Sequence, residues 1–270
     1  MLEVSRSAYY GYLCRGSGQT AVEKAALAKE LERLFCLHKR RYGSRRLHSA
    51  LRDQGSQVGR HRVRRMMREL SLKAIQPRSF VPKTTQVDST KARSPNLLLE
   101  MGGAPSGANQ VVVGDITYLA SEAGWLYLCT WMDLFSRRIV GWQLDDHMQA
   151  QLVIGAFKKV VEGRRPQPGL VVHSDGGSQY TALAFRKVLE KQGCRQSMTR
   201  KDNHYDNAFA ESLFSRLKAE LMDEYPVFKD KQDAKMRVFE YIEGYYNSHR
   251  KHSSLGYKSP VQFEREAEKK

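Results

Sequence analysis

The hydrophobic positions of this chain follow two different periodicities along its 270 residues. Between 20 and 70, apolar residues such as Leu27, Leu31 and Leu34 recur every three or four positions, which predicts amphipathic helices. Between 110 and 199, short apolar runs of strand length alternate with helical stretches. The pattern therefore predicts a helical N-terminal part, followed by a part that contains both strands and helices.

The N-terminal part is predicted to contain one long helix and two short ones. The long helix covers 20–39, a short helix after it ends at Gly55, and the third covers 60–70. Two short helices around a glycine-containing turn are typical of helix-turn-helix modules, so we predict a DNA-binding region over 1–75. The alternative is a small helical subdomain whose arginines serve solubility.

The second part is predicted to be of the α/β class. Three hairpin-connected strands come first, and a helix, a strand, a helix and a strand follow, which makes a mixed five-stranded sheet flanked by helices. The predicted strands are 110–120, 125–135, 139–144, 170–175 and 195–199. The predicted divisions are the helical region 1–75, an extended basic linker over 76–108, the α/β core over 109–225 and a C-terminal extension over 226–270.

The C-terminal extension is predicted to be mainly one helix over 229–250. Its inward side is predicted to carry Met236, Phe239, Ile242 and Tyr246. The end of this helix runs into a stretch, 245–252, that is both basic and aromatic. Two interpretations of this stretch stay open: it grips nucleic acid, partly by stacking, or its tyrosines cap the core.

Charge narrows the choice of partner. The net charge of +16 and the isoelectric point of about 9.7 favour a polyanion, and a net charge of +12 falls on residues 1–80. A solvated basic face is the alternative, whereas anionic lipid is disfavoured because no basic amphipathic helix carries Trp or Phe anchors. The sequence contains neither a signal peptide nor a membrane-length apolar run, and its cysteines are widely spaced, so we expect a cytoplasmic protein.

Three acidic residues lie at positions where a charge without a partner would be costly. Asp115 interrupts the apolar strand 110–120, and Asp175 ends another apolar run just before a Gly-Gly turn. Glu211 lies at the edge of a helical apolar stripe, and Lys218 follows on the same edge. Taken singly, they could be a strand acid paired with arginine, a turn-forming aspartate and a first-turn glutamate favoured by the helix dipole. Together they favour a metal site.

The spacing of these acids resembles a known pattern. Between Asp175 and Glu211 lie 35 residues, and with Asp115 they resemble the Asp-Asp-35-Glu triad of retroviral integrases and many transposases. Six ordered segments are similar to the insertion-sequence-three family of bacterial transposases: LEVSRSAYYGYL, RRYGSRRLHSALRDQG, GDITYL, HSDGGSQY, YDNAFAESLFSRLKAEL and YYNSHRKHSSLGYKSP. The resemblance covers nearly the whole chain and implies a ribonuclease-H-like fold for the α/β core.

The resemblance also implies an activity. It implies a DNA transposase that cuts element ends and transfers their 3′-hydroxyls into DNA, by a copy-out and paste-in route. Asp115, Asp175 and Glu211 are then the catalytic residues and the ligands of two Mg²⁺ ions, for which Mn²⁺ can substitute. The implied partners are double-stranded DNA (terminal inverted repeats and target), further copies of the chain, and an upstream-frame protein or fusion. The implied location is the bacterial nucleoid.

Several basic and polar residues are expected to contact DNA, because most protein–DNA contacts go to the phosphate backbone. They are Tyr42, Arg45, Arg46, Arg60, Arg62, Arg64, Arg65, Arg200, Lys201, Asn203 and Lys218.

Three positions depart from the family pattern. The family usually has Trp, Thr and Gly where Val112, Gly114 and Asp202 stand. None of these departures removes an acid of the triad. Two further functions stay open: a non-catalytic DNA-binding regulator derived from a transposase, and a nuclease that cuts without joining.

Overall fold

The computed structural model describes residues 5–13, 19–77, 94–200 and 208–269. The chain divides between Ile75 and Gln76 into two compact units, an N-terminal unit and a core unit.

The N-terminal unit is helical. Its helices are α1 (Arg6–Leu13), α2 (Gln19–Leu37), α3 (Ser44–Asp53) and α4 (Arg60–Glu69). Helices α2, α3 and α4 pack on one another through the residues that the helical periodicity assigned to the inside, such as Leu31, Leu47 and Val63. After α3 the chain turns at Gly55, whose φ of 84° lies in the left-handed region that favours glycine. The predicted three-helix arrangement is confirmed.

The core unit is built on a five-stranded sheet. The strands are β1 (Val111–Ser121), β2 (Gly124–Asp133), β3 (Ile139–Asp145), β4 (Val171–Ser174) and β5 (Arg195–Met198). Their order in the sheet is β3-β2-β1-β4-β5; β1 to β3 form an antiparallel meander, and β4 and β5 add parallel strands beside β1. This is the predicted mixed sheet.

Helices cover both faces of this sheet. They are α5 (Leu97–Glu100), α6 (Ala150–Arg164), α7 (Ser178–Thr181), α8 (Leu183–Lys191), α9 (Ala208–Met222), α10 (Lys231–Phe239) and α11 (Pro260–Ala267). Helices α6 and α8 cover one face, with Trp131 and Phe157 at the centre of that layer. Helices α9 and α10 cover the other face, where Leu217 and Val238 are fully buried.

The structure differs from the prediction at the end of the linker. The segment from Ser94 belongs to the core instead of the extended linker, since Leu97 N–H donates to Ser197 Oγ (2.9 Å) and Met198 N–H to the Pro95 carbonyl (3.2 Å). These contacts fasten the segment to the edge strand β5. The helix predicted between β4 and β5 is α8, and the short helix α7 precedes it, ending where the backbone of Ala182 is extended (ψ 134°).

The C-terminal helix differs from the prediction in its inward face. Helix α10 ends at Phe239 and continues as a π-helix, Glu240–Tyr246. Met236 and Phe239 are exposed, whereas the smaller Ala234 and Val238 face the sheet. Small side chains let α10 lie close to β3, and the wider π turn then brings Tyr246 inward.

Candidate active site at the ends of β1 and β4

Asp115 and Asp175 stand at matching positions just beyond the parallel pairing of β1 with β4. Val113 of β1 pairs with His173 of the parallel strand β4, and each aspartate stands two residues beyond its member of that pair. Neighbouring strands are about 4.8 Å apart, so the equivalent register places the two acids close together. Both are half-buried.

Two buried groups beneath the aspartates feel both charges. Burial raises the pKa of the Cys129 thiol, and the carboxylates of Asp115 and Asp175 raise it further. Burial likewise raises the pKa of Tyr180, and the same two carboxylates add to the shift. The aspartates therefore share one electrostatic environment at the surface of the α6–α8 layer.

A backbone N–H group donates a hydrogen bond to the carboxylate of each aspartate. Asp115 Oδ1 accepts from the Ile116 N–H (2.7 Å), and Asp175 Oδ1 accepts from the Gly177 N–H (3.0 Å). A Cβ at position 177 would lie only 3.0 Å from Asp175 Oδ1. Glycine at this position therefore keeps space around the carboxylate.

Glu211 lies on the first turn of α9 and is exposed. Helix α9 packs on β1, the strand that carries Asp115, through Leu213 and Leu217. Near the start of α9, the Phe209 ring lies under the Arg137 guanidinium at 4.2 Å from its centroid. Among the contacts of the described residues, none joins Glu211 to either aspartate. Its place in the triad stays a prediction.

Lys218 lies beside Asp115. Its Nζ stands 3.9 Å from the centroid of the Tyr118 ring. Burial lowers the pKa of this lysine, and the Asp115 carboxylate opposes that shift. An ammonium group on α9 thus lies near enough to Asp115 to feel its charge, in a place where it could bind a phosphate.

A buried ion pair binds α9 on the side of the helix opposite Glu211 and Lys218. The sequence did not predict this pair. Glu220 accepts three hydrogen bonds from Arg250 (Nη2 to Oε1, 2.5 Å; Nε to Oε2, 2.9 Å; Nε to Oε1, 3.1 Å) and one from the Tyr241 hydroxyl (2.9 Å). All three side chains are buried. The sequence feature that could have predicted this pair is a glutamate on the apolar face of α9, in helical register with Leu213 and Leu217, because a buried charge requires a partner. The burial of Tyr246 and Arg250 favours the core-capping interpretation of the basic aromatic stretch.

The basic residues of the N-terminal unit are mostly on its surface. Arg45, Arg60, Arg62, Arg64 and Arg65 are exposed, and Arg46 is half-buried.

Tyr42 does not belong to that surface. Its side chain is fully buried and stacks on His38, with the ring centroids 3.7 Å apart. The prediction that Tyr42 contacts DNA is therefore wrong, because the ring fills the core of its own unit. In the core unit, Arg200 is exposed, whereas Lys201 and Asn203 lie outside the described residues.

One other group of potential metal ligands lies at the end of β3. Within the described part of the chain, Asp145, Asp146 and His147 have ligand atoms within 4.8 Å of one another. The Lys231 ammonium bonds to both carboxylates there. The Lys231 ammonium thus already neutralises part of the negative charge of this cluster. Strand β2 lies between β3 and β1, so the cluster is separate from the two aspartates.

Comparison with known proteins agrees with this architecture. The model of an HTH-like domain matches residues 22–80, and models of the integrase core domain match 105–204 and 192–260. The transposase for insertion sequence element IS904 of Lactococcus lactis is 38% identical over 251 residues, which are 93% of this chain and 98% of that protein. Transposase InsF for insertion sequence IS3A of Escherichia coli is 38% identical over 230 residues, which are 85% of this chain and 79% of that protein.

The chain belongs to the IS3 family of insertion-sequence transposases.

The fold of this transposase also occurs in a viral integrase assembly. A chain of the simian T-cell lymphotropic virus intasome, in complex with PP2A regulatory subunit B56 gamma, superposes with a TM-score of 0.50. It is 13% identical, and the match covers 87% of this chain and 74% of that one. In the described ranges of the transposase, no helix has the length and apolarity that crossing a membrane requires.

Packing explains one departure from the family pattern. Gly114 pairs with Trp131 across β1 and β2, and a Cβ on Gly114 would meet the Trp131 ring at 2.3 Å. The indole therefore occupies the space that a side chain at position 114 would need. Val112 belongs to the same buried cluster as Trp131, but the structure does not explain this second departure. Asp202, the third departure, lies outside the described residues.

Proposed function

We propose that this chain is a DNA transposase that cuts the ends of its element and joins the 3′-hydroxyls to DNA. The observation that carries the proposal is the position of Asp115 and Asp175, each two residues beyond the last pair of the parallel strands β1 and β4, in a chain of the IS3 transposase family. Glu211, on a helix packed against β1, is proposed as the third acid.

The donor chemistry of this site fits divalent magnesium. Mg²⁺ prefers hard oxygen ligands and keeps several waters, so a few half-exposed carboxylates suffice. Asp115, Asp175 and Glu211 would hold two such ions, and Mn²⁺ would substitute for them. When bound, the ions supply charge stabilisation at the attacking and leaving oxygens of a phosphodiester.

The side chains have separate tasks in this proposal. In each step a P–O bond forms to the attacking water or 3′-hydroxyl, and the P–O bond to the leaving strand breaks. Lys218 binds a phosphate oxygen next to Asp115 and so positions the strand. The exposed arginines of the N-terminal unit supply most of the attraction to duplex DNA.

The proposed partners follow from this activity. They are the terminal inverted repeats, target DNA, further copies of the chain on DNA, and an upstream-frame protein or fusion. The proposed location is the bacterial nucleoid. The packing of Trp131 gives Gly114 a structural reason, so this departure from the family pattern is weaker support for the regulator alternative.

A labelled end oligonucleotide tests the proposal. With Mg²⁺, target DNA and the upstream-frame protein, we expect cleaved ends followed by strand-transfer products. Cleavage without joining would favour the nuclease, and tight binding without any product would favour the regulator. The Asp115→Asn variant serves as the control for contaminating nucleases, since it should bind DNA and give no product.

A further inference from the structure

The β1–β2 hairpin reaches beyond the site. Strand β1 pairs with β4 only along Val111–Val113, but it continues with β2 as far as Ser121. A strand rises about 3.4 Å per residue, so Tyr118 lies roughly 10 Å past Asp115 along β1. The hairpin therefore forms one wall of the open edge at which the two aspartates end.

This wall carries an exposed aromatic pair. Trp125 of β2 stands edge-on to Tyr118 of β1, with ring centroids 5.0 Å apart and an interplanar angle of 88°. Trp125 is 57% exposed, whereas the other two tryptophans, Trp131 and Trp142, are 0% and 6% exposed. The fold buries indole rings elsewhere and leaves this one open to solvent.

The aromatic pair is continuous with the site. Lys218 Nζ lies over the Tyr118 ring, and the same ammonium feels the charge of Asp115. Contacts thus join the ammonium, the phenol ring and the exposed indole, and the ammonium is near enough to Asp115 to feel its charge. We call Lys218, Tyr118 and Trp125 the hairpin row.

We propose that the hairpin row binds one nucleotide of the DNA strand next to the reacting phosphate. Lys218 would contact the backbone phosphate, and the face of Trp125 would stack on the base. This inference rests on the proposed function and adds Tyr118 and Trp125 to its DNA-binding residues.

The chemistry of the row selects a base that is not enclosed in a duplex. Aromatic side chains stack on nucleobases without regard to sequence, because every base has a π-face. Within paired DNA those faces are covered by neighbouring base pairs, so stacking needs a frayed, flipped or single-stranded nucleotide. The expected occupant is therefore an unpaired nucleotide beside the cleavage position.

The part of the tryptophan fluorescence that a solvent quencher reaches reports on Trp125, because it is the exposed one of the three tryptophans. We would titrate the full chain with element-end DNA that has an unpaired flanking nucleotide, and measure acrylamide quenching of the emission. We expect DNA to protect the accessible indole from acrylamide. The Trp125→Phe variant should lack that accessible component before DNA is added.

Affinity measurements test the stacking itself. Stacking on one base corresponds to a loss of roughly 5- to 150-fold in affinity when the ring is removed. We expect Trp125→Ala to show such a loss and Trp125→Phe a smaller one. Phe239→Ala, which removes an exposed ring from α10, is the matched control and should bind as the wild type does.

Abasic substitution keeps the proposal testable if Trp125→Ala fails to fold. Removing the base of single flanking nucleotides leaves the protein unchanged, and one position should lose both the affinity and the acrylamide protection. Full affinity at every abasic position, with no protection of Trp125 by intact DNA, would overturn the proposal. Protection that appears with protein concentration and without DNA would assign the surface to a second copy of the chain instead.

The outcomes are distinguishable from a failure of the proposed function. Asp115→Asn should still protect Trp125 on DNA, although it makes no product. If the wild type gives no cleavage or joining but DNA protects Trp125, the hairpin row stands and the transposase activity does not. If strand transfer is normal and Trp125→Ala changes neither affinity nor product, only the hairpin row is refuted.

Discussion

At the scale of single residues, packing around β1 explains an unusual feature of the sequence. Gly114 lies beneath the Trp131 ring, and the two residues face each other across paired strands. A protein interior has few voids, so an indole at this place requires the neighbouring position to be without a side chain. Asp115 follows Gly114 directly, and this packing therefore supports the strand that presents a proposed catalytic acid.

The Gly114→Thr variant should be less stable, because its Cβ would meet the Trp131 ring at 2.3 Å. We expect a loss of roughly 1–3 kcal/mol in the free energy of unfolding, measured by urea titration. Trp131→Val alone should also destabilise by leaving a cavity. The double variant should cost clearly less than the two single losses together. Strictly additive losses would contradict the proposed packing.

At the scale of elements, the position of α9 depends on the region that follows it. Glu220 near the end of α9 is bound by Arg250 and Tyr241, which lie in and beyond the π-helix. Helix α9 presents Lys218 and Glu211, so the C-terminal extension supports the site from the opposite side of the helix. A buried ion pair of this kind orients elements more than it stabilises the whole fold.

Replacing Arg250 with Leu should be severely destabilising, because the Glu220 charge is then left buried without its partner. We expect a loss of about 3–5 kcal/mol in the free energy of unfolding. The double variant Glu220→Leu with Arg250→Leu should recover much of that loss, since neither charge remains. Urea unfolding of the three proteins measures this. If the double variant is no better than Arg250→Leu, the ion pair is not the cause.

Helix α11 introduces an acid-sensitive contact. Glu264 on α11 accepts from Arg138 (2.8 Å) and from Arg164 (2.5 Å). Burial raises the pKa of Glu264, but the hydrogen bonds from its arginine partners outweigh burial and hold that pKa below its ordinary value. A carboxyl with a lowered pKa stabilises the fold above its unfolded pKa of about 4.3, and this contribution is lost as the pH falls through the folded pKa.

The Glu264→Gln variant tests this contact through pH dependence. It should be less stable than the wild type at pH 7, and the difference should shrink below about pH 4 as the wild-type carboxyl becomes protonated. Urea unfolding between pH 3 and pH 7 measures both proteins. Two parallel stability curves would contradict the role of the Glu264 charge.

At the scale of the whole molecule, charge and chemistry are divided between the two units. Residues 1–80 carry +12 of the net charge of +16, whereas Asp115, Asp175 and Glu211 lie in the core unit. In the proposed function, DNA affinity and phosphoryl transfer are therefore separable by substitution.

Replacing the exposed Arg45, Arg60, Arg62 and Arg64 with Ala should weaken DNA binding and reduce its salt dependence. The slope of log K against log salt should fall by about 0.9 for each phosphate contact that is lost. Four exposed lysines of the core unit serve as a matched control: Lys158, Lys187, Lys191 and Lys235. A slope that is unchanged by the arginine substitutions, or reduced equally by the lysine substitutions, would place the main DNA contact elsewhere.

The mixed sheet could be predicted from the sequence, and so could the places of Asp115 within β1 and of Asp175 just after β4, because strand positions and helix faces follow from local periodicity. The catalytic role of these acids stays a prediction. Asp175 could be placed at the end of a strand since a Gly-Gly turn follows it. The buried Tyr42 and the exposed Met236 could not be predicted, because hydrophobicity alone does not tell which ring or thioether a neighbouring helix leaves room for. The pairing of Glu220 with Arg250 joins distant segments, so no local pattern contains it.

The most direct test of the central claim is strand transfer by the Glu211→Gln variant. Gln keeps the size and helix propensity of Glu but removes the charge that a metal ligand needs. Binding of element-end DNA and strand transfer should be measured on the same preparation with Mg²⁺, beside the wild type. We predict that the variant folds and binds DNA like the wild type and gives no joined product. Strand transfer near the wild-type level would contradict the assignment of Glu211, and with it the three-acid site.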